Sequence, residues 1–590
     1  MGLKSLTMLG RILDIKSSRK GFLAPNVGKP CFEYMAQKSP IPRDLPENQG
    51  VSSLDIANFL AELYEDETLN VHNVLVVKNG RIIAEAYFGA QKAGVWKATF
   101  SACKSVVSIA VGMLIDDGKL TLDTKLSEIF SDEMSSVSKL KMRDMNVYHL
   151  LTMTSGMTAF EEVSAICEGT LFKTYVNTSL SSNPGEKFAY NSTNTYMLSA
   201  IVKKISGEGL CDFLEKRLFA PLGIQNYYWE KSSEGIEIGG WGLYISPEDF
   251  AKIGILLANG GRWEGKQLIS KDYVDLATRS HTEMTGSNYG FGYGFQMWTS
   301  PDSDQFVFNG MLGQNVWGFK KNELIIVNNS GNDELFHQSN YFAIVDKYFN
   351  RDFPDRIKKS RKNEKILDNT IKKLAENPMM TTLSKREKKK LYRGILPNAC
   401  RTLDGIELTS SDSRTPTMAL MPLVWQSVEN NYAKGFRSLR FEIEKGRFYA
   451  IYNQTDESYR FAIGLGAPEY TNIYIHNAPY LVGACAAFAK DEDGKTVLKI
   501  RVDFLETPCS LVLKLTYRNG YFELYQKEIP GKPFVFEKVQ DIKKEFSQKP
   551  VVGGVASWLE DDILEYRIER LFEFKVRLQE QKNEDSQNSQ

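Results

Sequence analysis

Hydrophobic positions along the chain acquire a clear period from Val51 onward. Behind Ser53, residues Ile56, Phe59, Leu60 and Leu63 fall at helical spacing, which predicts a helix capped by Ser53. Residues 73–87 read NVLVVKNGRIIAEAY: an apolar run, an Asn79-Gly80 pair, then alternation. That order predicts a β-hairpin with a type I′ turn. Residues 105–117 carry Val106, Val107, Ile109, Val111, Met113 and Leu114, apolar on nearly every face, with Gly118 as the stop. Such a helix belongs in the middle of a domain. Helical patterns dominate to about residue 280, and β texture returns at Tyr289–Trp298, Phe306–Phe308, Val316–Phe319 and Leu324–Asn328. Strands first and last with helices between them predict one sheet built from both ends of a domain, with a helical lobe inserted, in an α+β or α/β layered arrangement.

The flanks read differently. Residues 1–45 show Gly/Pro punctuation and no period, an N-terminal arm ahead of a domain at 46–350. Residues 351–397 hold KKSRK and KREKKK runs and read as a basic helical linker with a solvated face. Alternation resumes in FRSLRFEI (436–443) and LKIRVDF (498–504), and Arg518-Asn519-Gly520-Tyr521 is a hairpin signal. Residues 398–545 are therefore expected to form a C-terminal antiparallel β-barrel or sandwich. Residues 546–590 are expected to be a helix and a polar tail.

Charge narrows the partners. Lys+Arg and Asp+Glu are equal at 73 each, so no global pull toward nucleic acid or anionic lipid exists. The seven cysteines lie far apart, without a CxxC pair, and the number is odd. A disulfide framework is not expected, and a reduced, cytoplasmic setting fits. The N-terminal residues lack a sustained apolar core and a small-residue cleavage site, so no signal peptide is read, and no run of about 18 apolar residues predicts a membrane span. The five histidines are scattered, with no HExxH, and neither a dinucleotide fingerprint nor a phosphate-binding loop occurs. No metal or cofactor is expected.

Candidate chemistry begins at Ser101-Ala102-Cys103-Lys104, at the mouth of the buried helix. Ser and Lys three apart on a helix share a face. Burial and the positive helix end both disfavour the lysine's charge, so Lys104 can act as a base toward Ser101 Oγ. The same helix end offers backbone N–H groups to an oxyanion. Cys103, two residues after the serine, points elsewhere and reads as packing. Alone the pattern is weak, since a capping Ser followed by a snorkelling Lys looks the same.

Its context is specific. Residues 74–130 read VLVVKNGRIIAEAYF, then ATFSACKSVVSIAVGMLIDDGKLTLDTKLSEIF. They are followed in order by VYHLLTMTSG (147–156), PGEKFAYNS (184–192), GLYISPEDFAKIG (242–254), NGGRWEG (259–265), YGFGYGF (289–295) and GMLGQ (310–314). Over residues 45–350 this closely resembles the β-lactamase-like serine hydrolase family, of penicillin-binding-protein type. The resemblance implies an α+β fold: a β-lactamase/transpeptidase-like antiparallel sheet flanked by helices. It implies a nucleophile at Ser101, with Lys104 and Tyr190 handling its proton. Ser192 stands where many relatives have Asn, and Met153 where His is common.

The third family motif usually carries a Lys or His, then a hydroxyl or Gly, then Gly. Here the aligned residues are Phe308, Asn309 and Gly310. Gly310 still allows close backbone approach, and the Met311 amide pairs with that of Ser101 as the expected oxyanion hole. Without the cation, β-lactamase and DD-peptidase activity are disfavoured. The pattern resembles the esterase and amidase branch, which includes 6-aminohexanoate-oligomer hydrolases. Trp241, Tyr244, Tyr293 and Trp298 are candidates to line an apolar acyl pocket. The expected activity is hydrolysis of a small-molecule or peptide-like ester or amide through an acyl-enzyme on Ser101. The second reading is a catalytically silent relative that binds a peptide or acyl ligand, or serves as a scaffold. The C-terminal domain resembles the lipocalin-like domains appended to some of these hydrolases. Capping the site, binding a lipid or peptide, and forming a homo-oligomer are all open to it.

Overall fold

The computed structural model describes residues 28–158, 170–282, 290–334, 339–376, 385–391, 393, 395–410, 418–428, 435–531 and 572–581. Two compact units emerge. One comprises Glu33–Tyr87 and Ala93–Lys373; the other comprises residues 28–32, Phe88–Lys92 and the chain from Leu374 on.

The first unit holds a seven-stranded antiparallel sheet. Its order is Arg81–Tyr87, Val71–Lys78, Leu324–Ser330, Gln314–Phe319, Gln305–Gly310, Trp298–Thr299 and Gly292–Tyr293. The early hairpin pairs with the last strand, Leu75 opposite Val327, so the sheet joins both ends of the domain as the element order predicts. Asn79 and Gly80 both have positive φ (51° and 68°), which makes the expected type I′ turn. Helix Lys104–Asp116 runs through the core, with eleven of its thirteen residues buried, and Gly118 (φ 68°) stops it. The helices of the inserted lobe pack around it, among them Val147–Leu151 and Ser192–Ser206.

One cap differs from expectation. Ser52, not Ser53, caps helix Ser53–Glu65, its side chain accepting from Leu54 N. Ser53 is buried instead, and its N–H and hydroxyl both donate to Glu47 at 2.9 Å. A Glu six residues upstream thus took the serine out of the capping role.

Part of the N-terminal arm is a strap. Arg43 forms a fork to both carboxylate oxygens of Glu248 (2.9 and 2.7 Å), and the Ile41 N–H donates to the same group. Gln37 joins the buried Lys252–Asp249 ion pair. These contacts fix the start of helix Pro247–Ala258, which packs against the sheet.

The second unit is a nearly closed ten-stranded antiparallel barrel. From one edge the strands are Ser458–Ile463, Arg447–Gln454, Phe436–Glu444, Glu407–Ser410, Glu573–Glu580, Tyr521–Ile529, Ser510–Arg518, Thr496–Phe504, Ala478–Lys490 and Glu469–Ile475. The edges approach where Thr471 Oγ1 accepts from Ala462 N and Gly464 bridges Cys485. The strand Glu573–Glu580 lies where a C-terminal helix is expected from the sequence. Its buried Val576 and Leu578 alternate with exposed neighbours, a period of two that inserts it between Glu407–Ser410 and Tyr521–Ile529. The rest of the expected helix and the polar tail lie outside the described residues. So do residues 377–384, 392 and 394 of the expected linker. The linker's described helix Arg361–Leu374 buries Leu367 and Leu374.

Met418, Leu420, Met421 and Trp425 fill this unit's interior beside a polar group: Tyr452 donates to Gln526, which donates to Ala419 O. Glu528 is buried there, accepting from Leu423 N, and burial pushes its carboxyl up to about 8. Lys29 pairs with Glu506 at 2.6 Å, both side chains 1% exposed, so the start of the described chain is tied into the barrel unit.

Candidate active site

Ser101 sits in a short 3-10 turn, Phe100–Cys103, which feeds directly into helix Lys104–Asp116. Phe100 before it has φ 47°, a strained conformation for a bulky residue. The turn is anchored on both sides: Thr99 donates through N–H and hydroxyl to Leu243 O (2.9 and 2.8 Å), and Ala102 N–H donates to Thr99 O.

Lys104 is 1% exposed. Its Nζ lies 2.7 Å from Ser101 Oγ, 3.1 Å from Ser192 Oγ and 2.6 Å from the Gly240 carbonyl. Three oxygens saturate an ammonium's three donors. The same cage also suits a neutral amine. The Gly240 carbonyl can only accept and Ser192 can do so, which leaves the lone pair facing the Ser101 hydroxyl. The cage therefore suits the amine in either protonation state.

Two local features bring the cage together. Asn191 caps helix Ser192–Ser206, accepting from Thr193 N, so Ser192 is the first helical residue and faces Lys104. A β-carbon on Gly240 would fall 2.8 Å from Ser192 O, so only glycine lets this loop come close. The Gly240 carbonyl is a functional group that side-chain reasoning missed. The Gly239-Gly240 pair was its signal.

The Tyr190 ring centroid is 5.0 Å from Lys104 Nζ. Ala189 N–H donates to Met153 O and Gly185 N–H to Thr154 O, so the VYHLLTMTSG segment holds the tyrosine loop in place. Met153 itself has φ 57°. Tyr293 meets Tyr190 edge-on (6.2 Å, 85°), and Trp298 lies near parallel to it (6.3 Å, 11°). Phe188 completes an aromatic wall, 5.2 Å from Tyr293. Tyr293 is 1% exposed, so it backs Tyr190 rather than offering free surface. Burial raises its phenol well above the ordinary value. Trp241 follows the Gly240 carbonyl and is half-buried. Tyr244 packs instead with Trp96 and Tyr228.

Strand Gln305–Gly310 reaches the Ser101 turn at its last residue. A β-carbon on Gly310 would lie 2.2 Å from Thr99 O and 3.1 Å from Ala102 N. Met311 follows at once. Asn309 is not brought to the serine: it faces the other side of the sheet, 4% exposed, and donates to Asn315 Oδ1 at 2.7 Å. Cys103 is buried, donates to Gly239 O, and burial pushes its thiol up to about 12. Gln296, missed in the sequence, ties the core together: it donates to Leu150 O, accepts from Thr195 Oγ1, and its carbonyl accepts from Ser105.

Residues 56–339 match the family model described as Beta-lactamase. The chain is 25% identical over 276 residues to a 6-aminohexanoate-dimer hydrolase of Paenarthrobacter ureafaciens, covering 43% of this chain and 70% of that protein. Among solved structures it is similar to EstCE1, a hydrolase with promiscuous acyltransferase activity (15% identity, 50% of this chain, 98% of that one, TM-score 0.43). It is also similar to an octameric penicillin-binding protein homologue from Pyrococcus abyssi (14% identity, 80% of this chain, 96% of that one, TM-score 0.39). Among the described residues no helix is long and apolar enough to cross a membrane.

Proposed function

Because residues 56–339 form a beta-lactamase-family domain, we propose that this chain is a serine hydrolase that cleaves an ester or amide through an acyl-enzyme on Ser101. The observation that carries the reading is the buried Lys104 amine 2.7 Å from Ser101 Oγ, in a cage that tolerates either protonation state. Lys104 takes the serine proton as Oγ attacks the carbonyl carbon. The Ser101 and Met311 amides hold the oxyanion. Tyr190, beside Lys104, passes the proton to the leaving oxygen or nitrogen as the bond to the acyl carbon breaks. Water then attacks the acyl-enzyme by the reverse proton path, releasing the acid and restoring Ser101.

Two features shape the substrate. No cationic side chain stands at Phe308 or Asn309 to hold a carboxylate, and Asn309 is turned away. Beside Tyr190, Phe188 is partly exposed and offers an apolar surface, backed by the buried Tyr293 and Trp298. Neutral acyl groups fit this better than β-lactams or peptide C-termini. Steady hydrolysis of short-chain para-nitrophenyl esters by the wild type, lost in Ser101→Ala, tests the reading.

The altered third motif favours a second reading, a relative that acylates without turning over. Stoichiometric labelling of Ser101 without steady release of product would select it.

A further inference from the structure

Beside the Ser101 turn lies a chain of buried amides that the hydrolytic mechanism does not use. Asn73, Asn329 and Gln314 are 0%, 3% and 2% exposed, on three strands of the sheet. Asn73 Nδ2 donates to Asn329 Oδ1 at 3.0 Å, and Asn329 Nδ2 donates to Gln314 Oε1 at 2.9 Å. Gln314 Nε2 donates to the carbonyls of Leu312 (3.2 Å) and Ser330 (2.6 Å). Those carbonyls can only accept, so they fix the direction of every amide in the chain.

The same sheet face is otherwise apolar: Leu75, Val327, Val316 and Phe308 belong to the core. Amides replace this pattern at the end of the sheet where Gln314 stands opposite Gly310, the residue that abuts the Ser101 turn. Buried amides cost free energy unless satisfied, and Asn73 Oδ1 has no hydrogen-bond partner among the described residues. The sheet alone does not call for them.

The hairpin tip does. Gly310 and Gln314 are cross-strand partners, and a β-carbon on Gly310 would touch Gln314 Cβ at 3.1 Å. Between them, Leu312 (φ 65°) and Gly313 (φ 85°) are both left-handed. A non-glycine residue stays there only if its surroundings hold it. Gln314 supplies one hold, through Leu312 O. The Leu312 N–H supplies another, donating to Glu334 O at 3.0 Å.

We propose that Gln314 is a positioning residue: it fixes the Met311–Gly313 tip, and with it the Met311 amide, where that amide can face the oxyanion at Ser101. The catalytic consequence rests on the hydrolytic reading above, whereas the hold on the tip does not.

The test compares Gln314→Met, Gln314→Glu and Asn329→Leu with wild type. The readouts are para-nitrophenyl acetate kinetics and hydrogen exchange of peptides covering 305–314. In Gln314→Met, kcat should fall at least tenfold with KM within twofold, and exchange at 310–313 should quicken while barrel peptides stay unchanged. Gln314→Glu should regain part of its kcat as pH falls and its carboxyl can donate to a carbonyl again, a trend wild type lacks. Asn329→Leu, which touches neither tip nor serine, should repeat the effect more weakly and serves if Gln314→Met fails to fold. Unchanged exchange, or unchanged kcat in an active wild type, overturns the proposal. If wild type itself is inert, the hydrolytic reading fails, and the exchange result alone decides whether Gln314 holds the tip.

Discussion

Gly310 and Thr99 are so close that a single methyl group would not fit between them: a β-carbon on Gly310 would stand 2.2 Å from the Thr99 carbonyl oxygen. The obstacle is backbone and cannot swing away. Strand and Ser101 turn are therefore set against each other at the distance glycine permits. Gly310→Ala should push them apart, lowering ester turnover at least a hundredfold. The cost in stability should be about 1–3 kcal/mol, the usual price of overpacking. Kinetics and a thermal melt of the variant check both figures.

Lys104 lies against three oxygens, so its loss would do more than remove the base of the proposed hydrolysis. Lys104→Met should reduce kcat/KM by roughly 10²–10⁴, the range of general-base contributions. It should also cost stability, because the Gly240 carbonyl and Ser192 hydroxyl lose a buried donor. Lys104→Arg should not restore turnover, since guanidinium does not give up its proton. An active Lys104→Arg enzyme would remove the lysine from the proton path.

Tyr190 and Ser192 should separate by size of effect. Tyr190→Phe keeps the ring contacts with Tyr293 and Trp298 and removes only the hydroxyl, so about 10²-fold loss of kcat is expected without a large change in melting temperature. Ser192→Ala deletes one of the lysine's acceptors and should cost about tenfold, a hydrogen bond's worth. Side-by-side kinetics of the two variants rank them. Equal losses would mean that Ser192 does more than hold the lysine.

The barrel makes a pH prediction independent of catalysis. Glu528 has its carboxyl raised from about 4.5 to about 8 by burial. The folded state therefore keeps a proton that the unfolded chain releases between those values. Its stabilising contribution is complete below pH 4.5 and is lost as pH rises through 8. Melting temperature should fall over that window, and Glu528→Gln should flatten the slope. A wild-type curve that rises from pH 5 to 8 with the same slope in Glu528→Gln would contradict this assignment.

Much of the site was legible because its signals are local. Helical spacing ahead of an apolar helix suggested the pairing of Ser101 with Lys104, and the ordered motifs around it singled it out. The hairpin needed only Asn79-Gly80 between apolar runs. What escaped was carried by backbone or by distance. The Gly240 carbonyl has no side chain to notice. Gln296 and Gln314 look like ordinary polar residues until partners more than a hundred residues away, or across a hairpin, are known. Asn309 sat next to the right glycine in sequence, yet strand alternation turned it to the opposite face. Glu573–Glu580 was hidden because a short two-residue period amid charges reads as a helix end until a sheet edge is there to receive it.

The central claim stands on Ser101 as a nucleophile, and intact mass spectrometry after incubation with a fluorophosphonate probe measures that most directly. A single adduct on wild type, mapped to Ser101, absent in Ser101→Ala and slowed in Lys104→Met, is the predicted result. An unlabelled, folded wild type, or equal labelling of Ser101→Ala, would contradict it.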